Sequence, residues 1–424
     1  MKNVMASAGL LALGAIGVQS AHAQLVAGAE KPWSVSATLR GFYDDNYNTA
    51  SSGSVDRRSS FGFEIRPSVA VNMPLDQTTI SASYIFSMRY FDDRPKNKAD
   101  YSHDFELLIA HNFSERYSVD ASDSFVIAQE PSLIDPVNSL PIRSDGNNVR
   151  NDGAINLHAT LTPLLGILVG YDNTLYDYEQ AGPASYSAEL DRMEHLIIFD
   201  TRWQIFKETT AVLGYRFNQV SHLSTDSLSV DPVNNYISPN ARNNRSHSVY
   251  VGLDHSFQRN LSGSIRVGAQ YVDYYNDSFA GTSLNPYVDL SMNYSYMDGG
   301  NVTLGFHMGH NQTDQTGVAV EGGLLSLANL TQDQDSEVVY ATVSQKITPK
   351  LTGSLTGQFQ NSEYQKGIFD GEADQFYLLG LNFIYQFTPY LSAEVGYDYD
   401  NLQSNIPFRG YDRNRVYVGI TGTY

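Results

Sequence analysis

Eight short stretches recur along the chain, and each closes one alternating run and opens the next. They are "MPLDQTTISA", "NFSERYSVDA", "LTPLLGILVG", "IFKETTAVLG", "SFQRNLSGSI", "MDGGNVTLGF", "KITPKLTGSL" and "QFTPYLSAEV". Most place an apolar residue, a small polar residue, a polar residue or proline, one variable position, and then Leu or Tyr. This is the chemistry of a tight two-to-four-residue hairpin. Pro163, Pro349 and Pro389 suit it, because the turn wants a fixed φ and no ladder donor there. Between the turns lie longer polar connections at 44–56, 130–148, 223–245, 311–336 and 400–414.

Strand, long loop, strand, short turn is the grammar of an antiparallel meander. A β-propeller repeats at a similar period of roughly forty to fifty residues, but it needs four short strands per blade. Here each repeat holds two runs, each long enough to cross a bilayer at a tilt. Counting from runs that begin near Trp33, Arg57 and Thr78 to those near Leu391 and Asp412 predicts about eighteen strands, with sixteen as the fallback count. An even number puts both ends of the barrel on the short-turn, periplasmic side, with the long loops extracellular.

The two faces of the runs differ in chemistry. Phe61, Phe63, Ile65, Val69, Val71 and Met73 share one parity, as do Ile80, Ala82, Tyr84, Phe86, Met88 and Tyr90, and Tyr377 through Phe387. The opposite parity carries Glu64, Arg66, Ser81, Ser83, Arg89 and Asn382. Alternation of this kind places apolar side chains on one face of a sheet. A soluble sandwich could use the same pattern. Tyrosines near 84–90, 271–274, 294–296 and 397–399 instead point to interfacial girdles and a membrane barrel. In such a barrel the closing run "RVYVGITGTY" must pair with the run from Trp33 to Tyr43. One run resists the scheme: in "YSVDASDSFVIAQEP" both parities carry an acid, Asp120 and Asp123. A β-bulge would shift the register and mend it; otherwise Asp123 faces lipid or the register is misread.

The N-terminus sets the compartment. Lys2 precedes an apolar stretch of about fourteen residues, and Ala-His-Ala ends at Ala23, the pattern of a cleaved secretory signal peptide. The expected organisation is therefore 1–23 signal peptide and 24–424 barrel. No later segment reaches the eighteen apolar residues of a membrane helix. With 0 cysteines, the ladder and packing must hold the exported chain together. A formal charge of -19 argues against nucleic acid as a partner.

The strings "DSFVIAQEP" (123–131), "RNDGAINLHATLTP" (150–163), "VGYDNTLYDYE" (169–179) and "LDRMEHLI" (190–197) resemble the putative β-barrel porin type 2 family of bacterial outer-membrane proteins. The resemblance implies an outer-membrane barrel and transfers no functional residue. Tyr417, Gly419 and the terminal Tyr424 also resemble the C-terminal signal read by the barrel-assembly machinery, although Gly422 stands where a bulky apolar residue is usual.

The lumen-facing parity offers the candidates for selectivity: Arg40, Glu64, Arg66, Arg89, Glu106, Asp200, Arg202, Arg216, Asp254, Arg266, Glu394, Asp398 and Arg415. Arg set against carboxylate makes a field that selects polar solutes. The plainer reading is that these ions pair across strands and hold the wall. Asp-Pro-Val-Asn occurs at 135–138 and again at 231–234, and turn formation accounts for it. Asp333, Asp335 and Glu337 have a calcium-like spacing without the glycine or the full ligand count. His222, His247, His307 and His310 come with no G-x-S-x-G or H-E-x-x-H motif, so we expect neither an enzyme, a metal nor a cofactor. The expected function is passive diffusion of small hydrophilic solutes through an outer-membrane channel, with outer-membrane lipid and assembly machinery as partners. The alternatives are a structural or adhesive surface barrel without an open pore, or a conduit linked to polysaccharide export.

Overall fold

The computed structural model describes residues 31–51, 53–128, 147–277, 279–317 and 327–424. The expected signal peptide and the first Asp-Pro-Val-Asn lie outside these residues. The strands are β1 (Trp33–Asp44), β2 (Ser60–Pro74), β3 (Thr78–Phe91), β4 (Ala99–Asn112), β5 (Tyr117–Ala128) and β6 (Asn148–Thr162). There follow β7 (Leu165–Tyr178), β8 (Arg192–Phe206), β9 (Thr209–His222), β10 (Asn244–Gln258), β11 (Leu261–Asp273) and β12 (Thr282–Met297). The last six are β13 (Gly300–Gln312), β14 (Asp333–Thr348), β15 (Leu351–Gln365), β16 (Ala373–Thr388), β17 (Leu391–Ser404) and β18 (Tyr411–Thr423).

All 18 strands form one sheet in which sequence neighbours pair, and β1 also pairs with β18. The closing register runs antiparallel from Ser36↔Thr423 to Asp44↔Arg415. Closure leaves no edge, the condition for a sheet to sit in lipid. The last residue takes part. Tyr424 N–H donates to the Val35 carbonyl at 2.8 Å, and Val35 N–H donates to the Tyr424 carbonyl at 3.0 Å. The Tyr424 ring lies 6.0 Å from that of Trp33, with Lys31 Nζ 4.1 Å from its centre.

Tight turns gather at one end and long connections at the other. Some strands outrun their sequence pattern. β14 begins at Asp333 and β17 ends at Ser404, so the connections expected at 311–336 and 400–414 shrink to 313–332 and 405–410. Above the apolar band neither face of a strand meets lipid, so alternation stops while the ladder continues; at the start of β14 both faces are buried, with Asp333 and Gln334 at 1% and 3% exposure.

The parity rule holds through the band. Exposed large apolar side chains include Leu39, Phe61, Ile65, Val69, Tyr84, Phe105, Val169, Ile197, Val251, Leu379 and Ile420, each on the outward parity of its strand. Pairing rows climb the wall because barrel strands tilt. One row starts at Trp33, at the bottom of β1, and runs through Val71, Ala82, Leu107, Asp123, Gly153, Asn173, His195, Gln219 and Arg245 to Asp273, at the top of β11.

Two expectations need correction. β5 pairs without a register shift on both sides, so no bulge rescues Asp123. It faces outward with Phe125, and Asn151 Nδ2 donates to its Oδ1 at 3.0 Å. A neighbouring amide, rather than a twist of the backbone, accommodates the acid. Tyr274 is not a girdle residue; it is buried, at 3.0 Å from His310 Nε2.

Aromatic side chains on the inner face lie across glycines of the neighbouring strand. Tyr417 faces Gly396, Tyr250 faces Gly214 and Tyr340 faces Gly305 as direct cross-strand partners. A Cβ on Gly396 would sit 2.1 Å from the Tyr417 ring. Arg40 also lies over that ring, with its guanidinium carbon 4.2 Å from the ring centre, which limits where the ring can move. Gly396→Ala is expected to cost about 1–3 kcal/mol, read as the urea midpoint of the refolded barrel in detergent. Tyr417→Ala should remove most of that added cost. Full additivity of the two changes would dismiss the contact.

Candidate functional site: the inner wall and its extracellular cap

The inward parity groups most of the wall into four sectors, with β16 between the third and the first. The first spans β17, β18, β1, β2 and β3. Arg40 sits between two carboxylates, with Nη1 3.0 Å from Glu64 Oε2 and Nη2 2.9 Å from Glu394 Oε1. Glu64 also takes the Ser87 hydroxyl at 2.8 Å and Arg89 Nη2 at 3.4 Å, with Arg66 close by. Arg415 Nη2 reaches Asp44 at 2.8 Å and is the cross-strand partner of Asp398. Arg413 Nε reaches Asp400 at 2.9 Å.

The second sector lies on the opposite wall, on β8 to β13. Asp254 is bridged by Arg202 and by Arg266, the latter at 2.7 Å. Asp200 accepts from the Tyr250 hydroxyl. The Arg216 guanidinium lies 5.2 Å from the ring centres of both Tyr250 and Tyr287, a cation–π arrangement. His307 Nδ1 is 3.4 Å from Asp289.

The third sector, on β14 and β15, is mostly polar, with Lys346 on the inward parity at its short-turn end. Its inward positions include Ser336, Thr342, Ser344, Ser354, Thr356, Gln358, Gln360 and Ser362, with Ser336 and Ser362 hydroxyls 3.0 Å apart. The fourth, on β4 to β7, is acidic: Asp104, Glu106, Asp120, Asp152 and Asp172 all point inward. His158 Nε2 holds Asp120 at 2.8 Å, and the Thr174 hydroxyl donates to Asp152 at 2.9 Å.

The structure therefore brings Arg40, Glu64, Arg66, Arg89, Glu394, Asp398 and Arg415 into one cluster. Asp200, Arg202, Arg216, Asp254 and Arg266 form another, and Glu106 stands in the acidic sector. Within each cluster Arg and carboxylate alternate across neighbouring strands, so the first two sectors are close to neutral. Among the described residues the fourth sector gathers five inward carboxylates, with Arg150 on the same parity of β6. Sequence reasoning passed over Asp152 and Asp172, although their parity was readable. The histidines do not assemble. His222 is buried at the top of β9, His247 points outward to Tyr215, and His310 lies between Asp333 and Asp335, at 2.7 and 3.0 Å. That imidazole occupies the two acids of the calcium-like spacing. The described Asp-Pro-Val-Asn is a turn, with Asp231 accepting the Asn234 amide at 2.7 Å.

A cap covers part of the mouth. The β7–β8 connection holds a short helix, α1 (Tyr186–Leu190), whose N-cap Ser185 accepts from Ala188 N–H at 3.1 Å. Ala188 packs with Leu228, Ile237 and Ala241 of the β9–β10 connection and Leu330 of the β13–β14 connection. Arg242, with 0% exposure, donates to the carbonyls of Glu189 at 2.7 Å, Thr313 at 2.5 Å and Gln332 at 3.5 Å. Arg409 of the β17–β18 connection grips Asp314 at 2.9 Å and Asp374 at 2.7 Å. Gln332 reaches Asp277 at 2.7 Å, and Lys366 reaches the Ala280 carbonyl. The β9–β10 and β13–β14 connections leave the rim four strands apart, about 19 Å at the usual strand spacing. No arginine spans that, so these loops lean inward over the lumen.

Burial pushes the Glu189 carboxyl up to about 7, aided by Asp314 and opposed by the Thr316 hydroxyl bond and Arg242. Burial likewise pushes Asp191 up to about 6.

An apolar outer band, a closed ladder and a hydrophilic interior define a transmembrane β-barrel, the architecture of the bacterial outer membrane. Residues 334–424, from the second residue of β14 to the end, match the model of the family described as Putative beta-barrel porin 2. This agrees with the family that the strings between Asp123 and Ile197 resemble. Among solved structures, OccAB4 of Acinetobacter baumannii is similar at 12% identity and a TM-score of 0.45, covering 93% of this chain and 99% of that one. OpdK of Pseudomonas aeruginosa is similar at 12% identity and 0.46, covering 92% and 99%. The FrpB iron transporter of Neisseria meningitidis is similar at 9% and 0.42, covering 94% and 83%. No curated protein sequence matches the chain.

Proposed function

We propose that the protein is an outer-membrane channel for passive diffusion of small hydrophilic solutes, with a preference for cations. The observation that carries this is the sector structure of the inner wall. Hydroxyls and amides line one side, two walls are close to charge balance, and β4 to β7 add Asp104, Glu106, Asp120, Asp152 and Asp172. Among the described residues these five carboxylates outnumber the Arg150 that shares their stretch of wall, and the chain's formal charge of -19 adds to a field that concentrates cations. The porin family match at the C-terminal end supports the same reading.

Reconstitution in a planar bilayer tests it. Discrete current steps are expected, with a reversal potential in a salt gradient that reports cation over anion passage. Glu106→Gln with Asp152→Asn and Asp172→Asn should move that potential toward zero while conductance persists. Anion preference in the wild type would refute the charge argument.

The porin family match does not favour the alternative, a surface barrel whose loops are the working part. Silence in the bilayer, both from the wild type and from a variant with a loosened cap, would favour it.

A further inference from the structure

Three tyrosine–histidine pairs stand on the lipid-facing surface in the upper part of the band. Tyr84 and His103 join β3 to β4 at 2.9 Å, Tyr171 and His195 join β7 to β8 at 2.9 Å, and Tyr215 and His247 join β9 to β10 at 2.7 Å. Each is a hydroxyl to Nδ1 contact. Their surroundings differ. His103 has Phe86 and Ile127 as its cross-strand partners, and His247 has Phe217 and Tyr271, as lipid contact requires. His195 has Asn173 and Gln219 instead.

From His195 the polar surface continues away from β9. Asn173 Nδ2 donates to His195 Nδ1 at 3.1 Å. Gly153 is the cross-strand partner of both Asn173 and Asp123, and beside it Asn151 Nδ2 donates to Asp123 Oδ1 at 3.0 Å. Asp123, Asn151, Asn173 and His195 thus form one outward polar patch over β5 to β8. Along the row that climbs from Trp33 to Asp273, Asp123 is the fifth residue, near mid-height, and His195 the eighth. Among the described residues, Asp123 Oδ2 and His195 Nε2 have no hydrogen-bond partner. Polar atoms facing acyl chains at that depth have no water to satisfy them.

We propose that this face is an interface with a second copy of the chain, related by a two-fold axis along the membrane normal that passes near Asn173. The patch is self-complementary about that line. Asn151 and His195 flank Asn173 on either side, on β6 and β8, at similar heights in the wall. A two-fold axis at β7 sets the Asn151 amide of one copy against the imidazole of His195 of the other, and Asn173 against itself. An isologous contact needs this reciprocity. What else spans an outer membrane is another closed barrel, and only this chain is certain to carry the matching donors and acceptors. Gly153, with no side chain, lets the surfaces approach. The inference does not depend on the channel reading, and its test does not use conductance.

The chain has 0 cysteines, so single cysteines report proximity directly. Asn173→Cys should form a disulfide-linked dimer on oxidation in native membranes. Leu355→Cys, outward on β15 on the far wall, should not. Native mass spectrometry of the wild type should show two chains. Asp123→Leu with Asn173→Leu should fold, since apolar residues suit the lipid face, and should weaken association by at least about tenfold through lost contacts across the interface. A single chain in the wild type, or equal cross-linking at 173 and 355, overturns the proposal, as does retention of a lipid at the patch in place of a second chain.

Discussion

Arg242→Ala is expected to raise single-channel conductance severalfold and to make the current noisier. Arg242 is the buried cation whose donors tie the β7–β8, β9–β10 and β13–β14 connections together through three carbonyls. Removing it strands those acceptors and opens a void beside Ala188, Leu228 and Leu330. Each lost charge-assisted bond costs about 1.5–3 kcal/mol, against strands that do not depend on the cap. Far-ultraviolet circular dichroism and the thermal midpoint of the barrel should therefore hardly move. Unchanged conductance would mean that the cap does not restrict the lumen. The same cap should respond to pH. Glu189 is pushed up to about 7 from an ordinary value of 4.5 by burial. A carboxyl raised on folding favours the folded state in its protonated form. Its contribution is full below about pH 4.5, declines as the pH rises toward 7, and is lost above that, worth up to a few kcal/mol. The cap should be tightest in mild acid and looser above neutrality, seen as slower proteolysis of the loops at pH 5 than at pH 8. Glu189→Gln should hold the acid behaviour at pH 8. A wild type whose loops are cut at the same rate at both pH values would exclude this role for Glu189.

Glu64→Leu is expected to damage the barrel itself. Glu64 is 3% exposed and receives Arg40, Arg89 and Ser87, with Arg66 nearby. Without it three guanidinium groups crowd one wall, with Glu394 the remaining close acid for Arg40. Removing one partner of a buried ion network costs about 3–5 kcal/mol. Urea midpoints of refolding into micelles should fall accordingly. Adding Arg89→Leu should restore part of the loss, because it removes one uncompensated charge. If Glu64→Leu behaves like a conservative change at an exposed position, the cluster is not holding the wall.

Much of the barrel could be read from one period and one kind of turn. Alternation along Phe61–Met73 and Ile80–Tyr90 placed the outward face, and Pro163, Pro349 and Pro389 marked the short-turn end. The inward parity of Arg40, Glu64, Arg202 and Asp254 was equally readable, because side-chain direction in a strand is a local property. Which of them meet was not. Arg40 joins Glu394 across most of the sequence, through the β1–β18 seam, and only closure makes those residues neighbours.

The sequence by itself determined the strands, their faces, the turn chemistry and the strand count, since each depends on residues within a few positions of one another. The tertiary structure decided the rest. It set the height of each residue through strand tilt, so that Asp123 falls near mid-height without a bulge to turn it inward. It leaned six connections together, so that Arg242 became a buried tie rather than a loop cation. Height and loop contact depend on the shear of the closed ladder and on chain segments four strands apart, and no local pattern carries that information.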